Sequence, residues 1–229
     1  MQCFDLKTQA WTELSPLPEW LSDASAVMYD GKIVVEGASM YRTKSGWYQK
    51  TFPAGESAEE RVYVYDPATD SWSKAAADGM YLNQTIANEN GQLRLAGGSM
   101  PDPEHPGQTV PAPVMSYDIS SGAGAEICSM PVAFNNPQVA AKAGSLLIYS
   151  NGINFSPKLA PAIYRVQDGQ ATELEGALPK FIPATEAVIA TSMMIWFTEK
   201  GNVPYVSGFF SPETDRLTWN STLSFQQCR

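Results

Sequence analysis

The sequence has little of what most catalytic machinery is built from. Its 229 residues include one histidine, His105. That excludes a Ser-His-Asp or Cys-His relay unless His105 carries it. Its surroundings, "SMPDPEHPGQTVPAP" (99–113), read as a proline-dense surface loop in which the imidazole is solvated. Cysteine is equally scarce. Cys3, Cys128 and Cys228 show no metal-ligand spacing, and an odd number does not build a disulfide framework, so they read as free thiols. No glycine-rich phosphate loop leads into a helix, and no Cys/His cluster occurs. We therefore expect no metal and no cofactor.

Charge and long apolar runs are also in short supply. Only 17% of residues are charged, and the formal net charge is −9. Without a basic field there is nothing to neutralise phosphates, so neither nucleic acid nor an anionic membrane surface is an expected partner. The longest apolar runs, such as "SMMIWF" (192–197), are the length of a strand and far too short to insert across a bilayer. The neighbouring acids Glu59 and Glu60 read as a solvated charge run on a loop.

What is present is a repeat. Hydrophobic residues make up 44% of the chain, and glycine and proline number 17 each, a composition suited to many short strands joined by turns. "VYVYDPATDSW" (62–72) is a strand, a tight turn and a returning strand. Aligned on the aromatic before the turn, Phe4, Tyr65, Tyr117, Tyr164 and Phe210 fall in register. Trp11 and Trp72 share a later position and are expected to pack as structural residues. A second hairpin precedes four of these copies, in "ASAVMYDGKIVVEGA" (24–38), "QTIANENGQLRLAGG" (84–98), "QVAAKAGSLLIYSNG" (138–152) and "TEAVIATSMMIWFTEKG" (185–201). Asp-Gly and Asn-Gly between apolar runs are strong hairpin signals, because both residues tolerate positive φ. Each unit thus has four strands, A to D, at a pitch of roughly 45–60 residues, the range of propeller blades.

On "GKIVVEGA", "GQLRLAGG" and "VYVYDPATDSW" the chain resembles the kelch family of β-propellers, across essentially its whole length. Gly97-Gly98 keeps the double glycine of a kelch repeat, and Gly37-Ala38 keeps half of it. The expected fold is all-β: one domain over 1–229, with a half-blade at 1–14 and four complete blades at about 20–78, 82–130, 135–178 and 183–225. Because the first unit lacks strands A and B, the chain is expected to be the C-terminal part of a larger propeller. The galactose oxidases share the kelch scaffold, but their copper site needs two histidine ligands, which one histidine cannot supply.

In a four-stranded meander the B–C loop and the D-to-A connection emerge at the same end, and in kelch proteins that end usually binds the partner. The first B–C loop, "SMYRTKSGWYQKTFPAGESAEE" (39–60), either offers Arg42, Trp47 and Tyr48 for stacking and anion pairing or folds over its own blade with the aromatics covering the outer strand. The D-to-A connections each place an aromatic before strand A, Trp20, Tyr81, Phe134 and Phe181, either to line the binding face or to wedge between adjacent blades. Short polar residues follow, among them Asp23, Asn83, Asn136 and Glu186. Two functions are open. One is a non-catalytic module binding a protein or a carbohydrate on these loops. The other, implied by resemblance to the bacterial sialic-acid epimerases of the kelch family, is proton transfer at a sugar ring by Glu186, Asp23 and Arg42.

Overall fold

A computed structural model describes residues 1–39, 59–134, 137–141, 144–149 and 162–174, and the backbone alone at 41–42, 48–49, 142, 150, 186–190, 193–197, 205–211 and 216–223. Every regular element among these is a strand, and all pairings are antiparallel. The half unit is the hairpin β1 (Gln2–Asp5) and β2 (Ala10–Glu13). The first full sheet runs β3 (Leu21–Tyr29), β4 (Lys32–Ser39), β7 (Glu60–Asp66) and β8 (Ser71–Ala75). Inside its B–C loop a short ribbon pairs β5 (Tyr41–Arg42) with β6 (Tyr48–Gln49).

The second sheet is β9 (Gln84–Glu89), β10 (Gln92–Gly97), β13 (Val114–Tyr117) and β14 (Gly124–Cys128). Its B–C loop, read from sequence as a proline-dense surface loop, contains the ribbon β11 (Ser99–Pro101) and β12 (Thr109–Pro111). His105 sits at the tip of that ribbon, 61% exposed and 2.9 Å from Asp102. The third sheet is β15 (Gln138–Lys142), β16 (Ser145–Ser150), β17 (Ala162–Gln167) and β18 (Gln170–Glu173). The fourth is β19 (Glu186–Ala190), β20 (Met193–Phe197), β21 (Tyr205–Ser211) and β22 (Arg216–Leu223).

The core lies between sheets. Val34 and Val62 of the first sheet meet Ile86, Leu93, Leu95, Met115 and Tyr117 of the second. Ala96, Val114 and Cys128 of the second meet Leu146, Ile148, Tyr164 and Val166 of the third. Each buried aliphatic side chain contributes about 1.5–3 kcal/mol, so the sheets hold one another in place. The A strands stand next to each other in succession: β9 contacts β3 on one side and β15 on the other, and β15 contacts β19. This is how propeller blades stack around an axis. Pairing between the half unit and any other strand is absent among the described residues.

The C–D hairpins of the first and second full sheets also meet the segment that follows the preceding unit's D strand. Ser15 donates its N–H to Asp70 Oδ1 at 2.9 Å and its hydroxyl to the Asp70 carbonyl at 2.7 Å. Gly79 donates to the Gly122 carbonyl at 3.0 Å, and a Cβ on Gly79 would fall 2.2 Å from the Gly124 nitrogen. Trp72 belongs to this latch: its indole N–H donates to the Ser15 carbonyl at 2.9 Å, and its ring lies 5.1 Å from that of Tyr65. Trp11 does not follow the expectation. It is 68% exposed and meets Phe4 at 5.0 Å. The reason is positional: no described segment lies over it as Ser15 lies over Trp72.

Candidate functional site

The B–C and D-to-A segments of the first two full units come together at one end. Asp23 and Asn83 hold the same position relative to their hairpins, and both adopt left-handed backbone, with φ of 52° and 64°. Asp and Asn are the non-glycine residues that tolerate this conformation best. At Asp23 and Asn83 the short polar side chain therefore has a backbone cause. Gln84, fully buried, closes the same turn: its Oε1 accepts from the Tyr81 N–H at 2.9 Å and its Nε2 donates to the Pro113 carbonyl at 3.4 Å.

The double glycine serves the same crossing one unit on. Gly97 and Gly98 have φ of 86° and 76°. A Cβ on Gly97 would lie 2.4 Å from Pro137 Cδ, and one on Gly98 would lie 2.5 Å from the Leu82 carbonyl oxygen. The Gly98 N–H donates to the Phe134 carbonyl at 2.5 Å. Side chains are excluded here because B-strand backbone and D-to-A backbone touch.

Two carboxyls stand in this region. Glu36 is 1% exposed on β4, where the second sheet carries Ala96. Its Oε1 accepts from the Ser25 hydroxyl, which in turn accepts from the Ile86 N–H of the next unit at 3.1 Å. Glu60 is 8% exposed at the start of β7, and its Oε1 accepts from the Asn83 N–H at 2.8 Å. The second oxygen of each carboxyl has no hydrogen-bond partner. Burial pushes Glu36 up to about 8, and the nearby Glu60 charge raises it further while the Ser25 hydrogen bond opposes. Burial pushes Glu60 up to about 7, against the Asn83 hydrogen bond and with help from Asp23. The expectation that Glu59-Glu60 is a solvated run holds for Glu59 and fails for Glu60, which the β4–β7 pairing draws into the sheet.

Glu60 also lines a cleft of about 510 Å³. Glu59, Glu60 and Arg61 form one wall and Lys74 to Asp78 the other, with Met80 and Leu82 as apolar lining. Arg61 is held between Glu19, at 3.3 Å, and Glu59, at 2.5 Å. Tyr63 donates to Glu19 at 2.6 Å, and burial with that acceptor pushes its phenol up to about 12. A second cleft, of about 430 Å³, lies at the opposite, A–B and C–D end, between Glu89–Arg94 and Val166–Gly169.

The residues singled out from sequence are placed unevenly. Trp20 is 63% exposed in the connection before β3, Asp23 is exposed, and Tyr81 and Asn83 are half-buried. Of the two places open to Phe134, the structure shows the wedge between units: it is 1% exposed, inside the core between the second and third sheets, with its ring 5.6 Å from that of Tyr164. It packs, and no ring face is left for a ligand. Trp47, Asn136 and Phe181, and the side chains of Arg42, Tyr48 and Glu186, lie outside the described residues. Glu36, Lys74 and Asp78 were not singled out. Glu36 was findable, because the repeat sets a glutamate in "GKIVVEGA" against the alanine of "GQLRLAGG".

No family model matches the chain. A stretch of 73 residues is 36% identical to the Kelch-like protein terF of Aspergillus terreus, covering 32% of this chain and 14% of that protein. The solved structure of YjhT, a kelch-type propeller, matches 90% of this chain with a TM-score of 0.55 at 14% identity. The chain spans 65% of the length of that structure. At this level of identity the likeness is one of fold. The chain is thus an all-β protein of several antiparallel four-stranded sheets, similar to kelch-type β-propellers.

Proposed function

We propose that this chain is a non-catalytic binding module that takes a carbohydrate or a segment of a protein at its B–C and D-to-A end. The observation that carries the reading is the cleft between Glu59–Arg61 and Lys74–Leu82. Its volume is that of small-ligand sites. Its lining combines charged donors and acceptors with the apolar side chains of Ala75, Ala77, Met80 and Leu82, which suits a ring with both polar edges and an apolar face. Screening the chain on a glycan array and in pull-downs, then changing Lys74 and Asp78 to Ala, tests this. Affinity for any hit falls at least tenfold while Tm stays within about 2 °C. Unchanged affinity removes the cleft from the account.

A second reading, an enzyme acting at a sugar ring, draws on one observation. Glu60 lines the cleft with its carboxyl pushed up to about 7, the range of a group that both gives and takes a proton at neutral pH. Acceleration of anomer exchange of reducing sugars, abolished by Glu60→Gln, distinguishes it from binding alone.

We further read the chain as part of a larger propeller. Phe4, Leu6, Trp11, Trp20 and Met28 are exposed by 40–84%, all in the half unit, the connection after it or the first A strand. β3 leaves Ala24, Ala26 and Met28 exposed, whereas β9 buries Gln84, Ile86 and Ala87. A preceding A–B hairpin covers such a surface.

A further inference from the structure

The second and third sheets meet through apolar side chains, but the first and second also meet through Glu36, Ser25 and Glu60. Ala38 pairs with Glu60 and Val62 with Glu36, so the two carboxyls are diagonal neighbours on one face of the sheet. Both are tied to the segment that enters β9. Glu60 accepts directly from Asn83, and Glu36 holds the serine that accepts from Ile86. Among the described residues, the charged groups facing them, besides each other, are Asp23 from β3 and Arg61 from β7. Arg61 is already engaged by Glu19 and Glu59. From β9 the electrostatic partners are backbone N–H groups. The three acids do not form a metal-ligand set among the described residues.

We propose that Glu36 and Glu60 together form a proton-binding site that controls this junction, closing it when they are neutral and loosening the segment entering β9 when they ionise. The physical basis is the pair of unpartnered oxygens. A neutral acid leaves only a weak polar group unsatisfied, whereas a buried carboxylate leaves a charge. Two such charges on one sheet face also repel. Neutral Glu36 still serves Ser25, because its carbonyl oxygen accepts the same hydroxyl. The inference does not depend on the identity of any ligand.

The test is an NMR titration of the whole chain, reading the glutamate side-chain carboxyl carbons together with amide exchange corrected for its intrinsic pH dependence. Two glutamate carboxyls titrate above pH 6, and protection of the Asn83 and Ile86 amides falls at least tenfold between pH 6 and pH 9. In a chain carrying Glu36→Ala, the residue the second sheet has at Ala96, and Glu60→Gln, protection of those amides changes less than twofold over the same range. Should that variant fail to fold, Glu60→Gln alone halves, on a logarithmic scale, the loss of protection at Asn83. Glutamates that all titrate below pH 5.5, or protection that does not change with pH in the unmodified chain, overturn the proposal.

Discussion

Trp11 and Trp72 are the same residue at the same place in a repeat, yet they do different work. Trp72 covers Tyr65 and is itself capped by the Ser15 carbonyl. Trp72→Ala is expected to cost about 2–4 kcal/mol, somewhat less than a fully buried indole. Trp11→Ala is expected to cost under about 1 kcal/mol, because its ring is mostly in water already. Chemical denaturation of the two variants checks both values, and equal losses would contradict the latch. The aromatic periodicity was legible from sequence. The difference between the two tryptophans was not, since it depends on what a neighbouring unit lays over each ring. The same limit explains Phe134, whose place before strand A left a ligand face and a wedge between units both open, while the packing of the third sheet buried it.

At the scale of elements, the hairpins were the most legible part. Asp30-Gly31 and Asn90-Gly91 both adopt the positive φ values that their sequences announce. The double glycine can be tested against a simple turn. Gly31→Ala meets nothing within 4 Å and is expected to cost about 1–2 kcal/mol for the left-handed backbone alone. Gly98→Ala adds a collision with the Leu82 carbonyl and is expected to cost about 2–5 kcal/mol. Thermal melts of the two variants read the difference. Less legible was Glu60, because whether a residue at the end of a long loop is solvated or paired depends on where the next strand begins. Its burial has a consequence for pH. The carboxyls of Glu36 and Glu60 are held above their unfolded value of 4.5, to about 8 and about 7. The folded state therefore binds more protons than the unfolded one between these limits. Their contribution to stability is fully present below about pH 4.5 and is lost as pH rises through 7 and 8. A fall in Tm of roughly 5–10 °C between pH 5 and pH 9 is expected, and Glu36→Ala with Glu60→Gln flattens it.

For the whole molecule, the order of strands and the unit pitch followed from the repeat, because a meander admits few topologies once four hairpins are in register. The candidate site was legible only as an end of the molecule. Its cleft is made by residues that are individually ordinary, Lys74, Asp78, Met80 and Leu82, brought together by a connection running from one sheet to the next. The exposed apolar side chains of the half unit and β3 lead to a further expectation. Residues 1–229 alone self-associate with increasing concentration in sedimentation velocity, and Leu6→Lys with Met28→Lys suppresses this. A monodisperse, cooperatively melting monomer at every concentration would count against an open first unit.

The two clefts lie at opposite ends, so the amides around each can be told apart. Hydrogen exchange with and without a ligand found on the array or in pull-down locates the protected amides. Protection is expected at 59–61 and 74–82, in the cleft between the start of β7 and the segment running from β8 toward β9. Protection at 89–94 and 166–169 instead, around the cleft at the other end, would contradict it.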